Sequence, residues 1–223
     1  MSHLAQWVPR RSMILSKSML KTPFVRAEAN AISAVRKGGV AGRAAMAYIN
    51  GMKRPILIHP DPRLKKVCAE VPDLTDAMRT LADDMLETMY AAPGVGLAAP
   101  QIGVLDRLIV LDCAKEDEES PRPLVMFNPK IVSASDETNV YEEGCLSIPD
   151  QYAEVTRPKV VEVEWMNRDG NAERETFDGL WATCVQHEID HLDGKLFIDY
   201  LKPLKRQMIT RKMQKLKRER ARG

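Results

Sequence analysis

The strongest chemical signal in the sequence is His187-Glu188-Ile189-Asp190-His191. A helix advances about 100° per residue, so His187 and His191 share one face, one turn apart, and both rings can point a nitrogen at a single metal ion. Glu188 sits beside them, where a carboxylate can take a proton from water activated by that ion. This is the chemistry of a metal-dependent hydrolase. Two imidazoles do not complete such a site, and Cys145 is the candidate third ligand. It stands in Glu142-Glu143-Gly144-Cys145-Leu146-Ser147, where the glycine permits close backbone approach and the thiolate is a soft donor suited to iron or zinc. A Gly-Cys junction outside regular secondary structure would leave the sulfur free to reach the helix. Cys184, one turn before His187, is expected to line the same cavity without ligating, and Cys68 and Cys113 read as small buried hydrophobes.

A third segment, Gly94-Val95-Gly96-Leu97-Ala98-Ala99-Pro100-Gln101, has two glycines after a helical stretch. It has neither G-x-G-x-x-G nor Gly-Lys-Ser/Thr, so a phosphate loop is a poor reading. A tight segment passing close to a ligand backbone, with Gln101 as an amide donor, fits better; a plain loop or strand edge is the alternative.

These residues need a scaffold. Leu74, Met78, Leu81, Met85 and Met89 recur at helical spacing between the capping group Asp73-Leu74-Thr75 and the breaker Pro93-Gly94, which predicts an amphipathic helix with a methionine-rich core face. Short β-rich runs follow at 107–112, 124–127 and 160–166. The helix bearing the two histidines should run from Asp178-Gly179 to Asp193-Gly194, closed by a left-handed glycine. A third helix is expected over Lys202 to Arg220. Strands in the middle with helices before and after predict an α+β domain.

At 223 residues the chain suits one catalytic domain with tails. The four scattered cysteines form no C-x-x-C pair, which argues against a disulfide framework. No apolar run is long enough to cross a bilayer. The formal net charge of +2 is unevenly spread: residues 1–52 hold eight Lys/Arg and one acid, while Lys202 to Gly223 hold ten Lys/Arg and one acid. The body is acidic and both ends are basic. Residues 1–52, an Arg-rich and acid-poor extension, read either as a transit peptide or as an upstream mis-start with Met52 as the true beginning. The former would send the protein to an organelle, and the latter favours bacterial cytoplasm. The expected division is 1–52 extension, 53–202 catalytic domain and 203–223 basic C-terminal helix.

The three motifs, in the order Gly94-x-Gly96-Leu97-Ala98-Ala99-x-Gln101, Glu143-Gly144-Cys145-Leu146-Ser147 and Gln186-His187-Glu188-x-x-His191, resemble the signature motifs of the peptide deformylase family. The resemblance spans roughly 53–220. It implies a single compact α+β domain, with a mixed or antiparallel sheet packed around a central metal-binding helix and a C-terminal helix. The implied activity is hydrolysis of the formyl group from the N-terminal formyl-methionine of nascent polypeptides. Cys145, His187 and His191 would hold one divalent ion. The ligand set accepts Zn²⁺ or Fe²⁺, and the resemblance implies Fe²⁺ in the cell. Glu188 would take and return the proton. The Gln101 amide and the Leu146 backbone N–H would stabilise the oxyanion. Gly96 would run along the substrate backbone, with Val95, Tyr141, Leu180, Thr183 and Cys184 lining the methionine slot. Tyr152 stands where many relatives carry Arg, and Tyr141 and Thr183 replace frequent aliphatic residues. The terminal helix would dock at the ribosome near the exit of the nascent chain. Two alternatives bear on this reading. An H-E-x-x-H metallopeptidase would recruit Glu, His or Asp as the third ligand, and a non-enzymatic ribosome- or RNA-binding protein with a structural metal would have no use for Glu188.

Overall fold

A computed structural model describes residues 51–114 and 120–222. The expected behaviour of the 1–52 extension therefore falls almost wholly outside the described residues. Among the described residues seven strands form two antiparallel sheets. β1 (Gly96–Ala98), β2 (Leu108–Leu111), β3 (Leu124–Ala134), β6 (Val161–Met166) and β7 (Ala172–Phe177) make a five-stranded sheet in the order β1-β2-β3-β6-β7, and β4 (Thr138–Cys145) pairs with β5 (Ile148–Pro158). Every strand pair is antiparallel, which narrows the mixed-or-antiparallel expectation.

The short strand β2 shows why the sheet lies where it does. Its four residues Leu108, Ile109, Val110 and Leu111 are all fully buried, because successive side chains point to opposite faces and both faces are covered. Leu108 and Val110 join Ala82, Met85, Leu86 and Met89 of helix α1 (Asp76–Ala91). Ile109 and Leu111 join Ala182, Val185, Ile189 and Leu192 of helix α2 (Gly179–Leu192). Each fully buried Leu or Met side chain contributes about 1.5–3 kcal/mol relative to an exposed one. The helix α1 begins where Thr75 Oγ1 accepts the Met78 N–H at 3.3 Å, a side-chain cap that satisfies a free helix-end donor.

A third apolar group attaches the β4–β5 ribbon and the terminal helix α3 (Pro203–Arg220). It gathers Cys145, Ile148, Ala153 and Val155 with Leu64, Phe197, Ile209 and Met213. Only Ile209 and Met213 of α3 are buried, one turn apart, while Leu204 and Met208 face solvent. The apolar attachment of the helix is thus one narrow stripe, with Leu216 packed beside it and the basic residues exposed. Among the described residues no helix is long and apolar enough to cross a membrane.

Candidate metal centre

The central helix α2 brings His187 and His191 to one face, with ring centroids 5.0 Å apart. The helix closes at Gly194, whose φ of +71° lies in the left-handed region, and any Cβ there would stand 2.7 Å from the Lys65 carbonyl oxygen. Glycine is required on both counts. From the other side comes Cys145, the last residue of β4, so it belongs to a strand and not to an irregular junction as the sequence suggested. The ribbon turns at Leu146-Ser147 before pairing Cys145 with Ile148, and this tight reversal projects the sulfur toward α2. Its Sγ lies 3.2 Å from His191 Nε2. The three side chains are buried, each offering one donor atom within 4.8 Å of the others.

Glu188 is 1% exposed, and its Oε2 has no hydrogen-bond partner among the described residues. Burial, with the nearby Glu143 charge adding to it against His187 and Arg157, pushes its pKa up to about 7. A buried carboxylate of that kind is poised to hold or release a proton near neutrality. Gly96 of β1 makes its place, since a Cβ at Gly96 would overlap the carboxylate.

Gln101 is buried in the turn Ala99–Ile102. Its Oε1 accepts the Ala98 N–H at 2.7 Å, which leaves Nε2 to donate toward Ser147 Oγ at 3.3 Å and Cys145 Sγ at 3.5 Å. The amide nitrogen is therefore aimed at the cradle. Leu146 follows Cys145 in the turn and packs against Gly94. Val95, just before β1, and Cys184 of α2 are buried in one apolar cluster, with Leu180 of α2 packed against it. Tyr141 reaches Gly179, the start of α2, with its hydroxyl 3.9 Å from a Cβ placed there. Thr183 turns its hydroxyl back to the Gly179 carbonyl at 3.2 Å. Tyr152 lies over Gly144, leaving no room for a side chain there.

Sequence reasoning missed the network behind His187. Glu143 Oε2 stands 2.8 Å from His187 Nδ1. Arg157 grips Glu143 through Nε at 2.5 Å and Nη2 at 3.0 Å, and reaches Asp190 through Nη1 at 2.7 Å. Burial opposes charge on Glu143, but His187 and Arg157 outweigh it and hold its pKa low. A carboxylate can only accept, so His187 donates from Nδ1, and a cation at Nε2 would take the place of the proton that the metal-free ring carries there. Burial also works against a proton on His187, and contacts with Cys145 and Glu143 overcome it. For His191, burial combines with the positive charge of His187 and Arg157 to keep the ring neutral. One soft sulfur, two imidazole nitrogens and an unpartnered carboxylate oxygen beside them fit a divalent ion such as zinc or iron.

Such a cradle, able to hold a metal ion and with a buried carboxylate beside it on the same helix, suits a metal-dependent hydrolase. The family model described as Polypeptide deformylase matches residues 53–207. The chain is 57% identical to a peptide deformylase of Rhizobium meliloti (strain 1021) over 162 residues, covering 73% of this chain and 92% of that protein. Its fold is similar to the crystal structure of a peptide deformylase from Legionella pneumophila, with a TM-score of 0.70 and 48% identity, covering 77% of this chain and 99% of that one. The Ehrlichia chaffeensis peptide deformylase in complex with actinonin matches with a TM-score of 0.72 and 39% identity, over 75% and 99% of the two chains. The chain belongs to the peptide deformylase family.

Proposed function

We propose that Cys145, His187 and His191 hold one divalent cation and that Glu188 moves the proton as the formyl group of an N-terminal formyl-methionine is hydrolysed, releasing formate. The observation that carries this reading is the buried Glu188 carboxylate beside the Cys/His/His cradle, its Oε2 without a hydrogen-bond partner among the described residues. A cation held there supplies Lewis acidity, lowering the pKa of water and polarising a carbonyl. Glu188 takes the proton of the attacking water and returns it to the departing α-amino nitrogen. The Gln101 Nε2–H and the Leu146 backbone N–H donate to the oxygen that gains charge during attack. Gly96 lines the substrate backbone, while Val95, Tyr141, Leu180, Thr183 and Cys184 receive the methionine side chain. Fe²⁺ is the ion we assign in the cell, with Zn²⁺ also suited to this ligand set.

The metallopeptidase alternative is not favoured, because a cysteine completes the cradle where those enzymes use Glu, His or Asp. The test is the metal content of Cys145→Ser. Loss of the bound ion is expected, and an ion retained at parental stoichiometry would refute this assignment of ligands.

The catalytic body is assigned to 53–202. Support comes from the Met52 backbone N–H on Asp84 Oδ1 at 2.5 Å and the Arg54 N–H on Thr88 Oγ1 at 2.9 Å, which tie the start of this body to α1. Residues 203–223, which include helix α3 (Pro203–Arg220), are the basic segment that we assign to docking on ribosomal RNA near the nascent-chain exit. Its outward-facing Lys and Arg residues support strongly salt-dependent binding. The bacterial relatives support a place in bacterial cytoplasm.

A further inference from the structure

We propose that Tyr200 is a positioning residue of the metal centre, acting on His187 through Asp190, Arg157 and Glu143. The inference rests on the assignment of His187 as a metal ligand. Each link is a hydrogen bond at close range. The Tyr200 hydroxyl donates to Asp190 Oδ2 at 2.8 Å, the oxygen that also accepts Arg157 Nη1 at 2.7 Å. The remaining two bonds of the guanidinium go to the two oxygens of Glu143. Glu143 then meets His187 Nδ1 at 2.8 Å. Below this chain the Tyr200 ring lies under the guanidinium, with Arg157 Cζ 4.9 Å from its centroid.

Burial makes this arrangement consequential. Arg157, Glu143 and Asp190 are all buried, so one cation and two carboxylates must balance one another without much help from solvent. Arg157 is shared: the more its plane turns toward Asp190, the less squarely it meets Glu143. The Tyr200 hydroxyl satisfies part of Asp190, and its ring fixes the plane of the guanidinium. Both actions keep the two-pronged grip on Glu143, and Glu143 in turn sets the tautomer and tilt of His187. Outer partners of metal ligands act in this way. The two histidines are unequal in this respect, since His191 Nδ1 has no partner among the described residues. Orientation of the cradle therefore depends on the His187 side. Tyr200 is 48% exposed, so it is the point at which the network reaches the surface, three residues before α3 begins.

The experiment uses the full chain loaded with Co²⁺, reading the ligand-field absorption bands, Co²⁺ affinity by chelator competition, and kcat and KM on a formyl-methionyl peptide. Tyr200→Phe is expected to shift the bands, to weaken Co²⁺ binding about tenfold, the lower edge of the range for outer partners, and to lower kcat with KM unchanged. Arg157→Lys keeps the charge but loses the fork, and should give a larger shift. The double variant should then add nothing to it, because both act through one path. If Arg157→Lys does not fold, Asp190→Asn takes its place in the cycle. Bands and affinity identical to the parent in Tyr200→Phe, or fully additive effects in the double variant, would overturn the proposal. A parent whose Co²⁺ bands survive Cys145→Ser would instead refute the centre itself.

Discussion

Gly96 and Glu188 are in contact so close that no side chain fits between them: a Cβ on Gly96 would overlap not only the tip of the carboxylate but also Cδ and Cγ at 2.9 Å. The glycine of β1 thus fixes where the Glu188 carboxylate, the proposed proton carrier, stands relative to the histidines of the same helix. Gly96→Ala should force the whole Glu188 side chain aside. Misplacement by about 1 Å of a group in the chemistry lowers rate by roughly 10²-fold, so kcat should fall by about that factor while metal content stays at the parental value. Measuring both on one preparation checks this. Unchanged turnover would mean that Glu188 has freedom the structure does not show.

Met213 is one of only two buried residues that hold the terminal helix. Met213→Ala should weaken its docking by about 2–5 kcal/mol, the range for buried large-to-small changes. The lysines and arginines of α3 then become accessible to trypsin, and cleavage within 203–220 should accelerate while the remainder of the chain persists. Parental cleavage rates would show that other contacts carry the helix.

His59 joins the body to α3 through Nε2 and Thr210 Oγ1, 3.0 Å apart. Burial lowers its pKa from the usual 6.5, with the Lys65 charge acting in the same direction and Asp199 opposing. The unfolded chain therefore binds this proton more readily than the folded one. The contribution to stability is complete above about pH 6.5 and is lost as pH falls toward the depressed value of the folded state. Thermal unfolding of the parent between pH 7.5 and 5 should show a loss that is smaller in His59→Gln, which keeps a polar partner for Thr210 without titrating. Parallel curves would rule out His59 as the source.

The parts of this molecule that were legible in sequence are those where a period and a stop signal coincide. The helices α1 and α2 carry apolar stripes ended by Pro93-Gly94 and Gly194, and the structure places them at Asp76–Ala91 and Gly179–Leu192. The strand β2 was visible as an apolar run because both its faces are covered. The β4–β5 ribbon was not, since only one of its faces is packed and its residues include Glu142, Glu143, Pro149 and Asp150. Missing it also misplaced Cys145 outside regular structure. One signal was available. In β5, Ala153, Val155 and Arg157 alternate on the buried face, so an arginine occupies a position where the period calls for an apolar side chain. Such a charge needs a buried partner, and Glu143 across the ribbon supplies it. That pairing depends on strand register, which the local sequence does not encode.

In the proposed reaction a metal held by Cys145, His187 and His191 acts together with Glu188 to remove a formyl group. The most direct test is formate release from a formyl-methionyl peptide by anaerobically prepared protein and by Glu188→Gln, with bound metal measured in each. Expected are stoichiometric formate from the parent, one divalent ion in both proteins, and turnover abolished in the variant. A metal-loaded parent that releases no formate, or a Glu188→Gln variant that turns over at the parental rate, would contradict it.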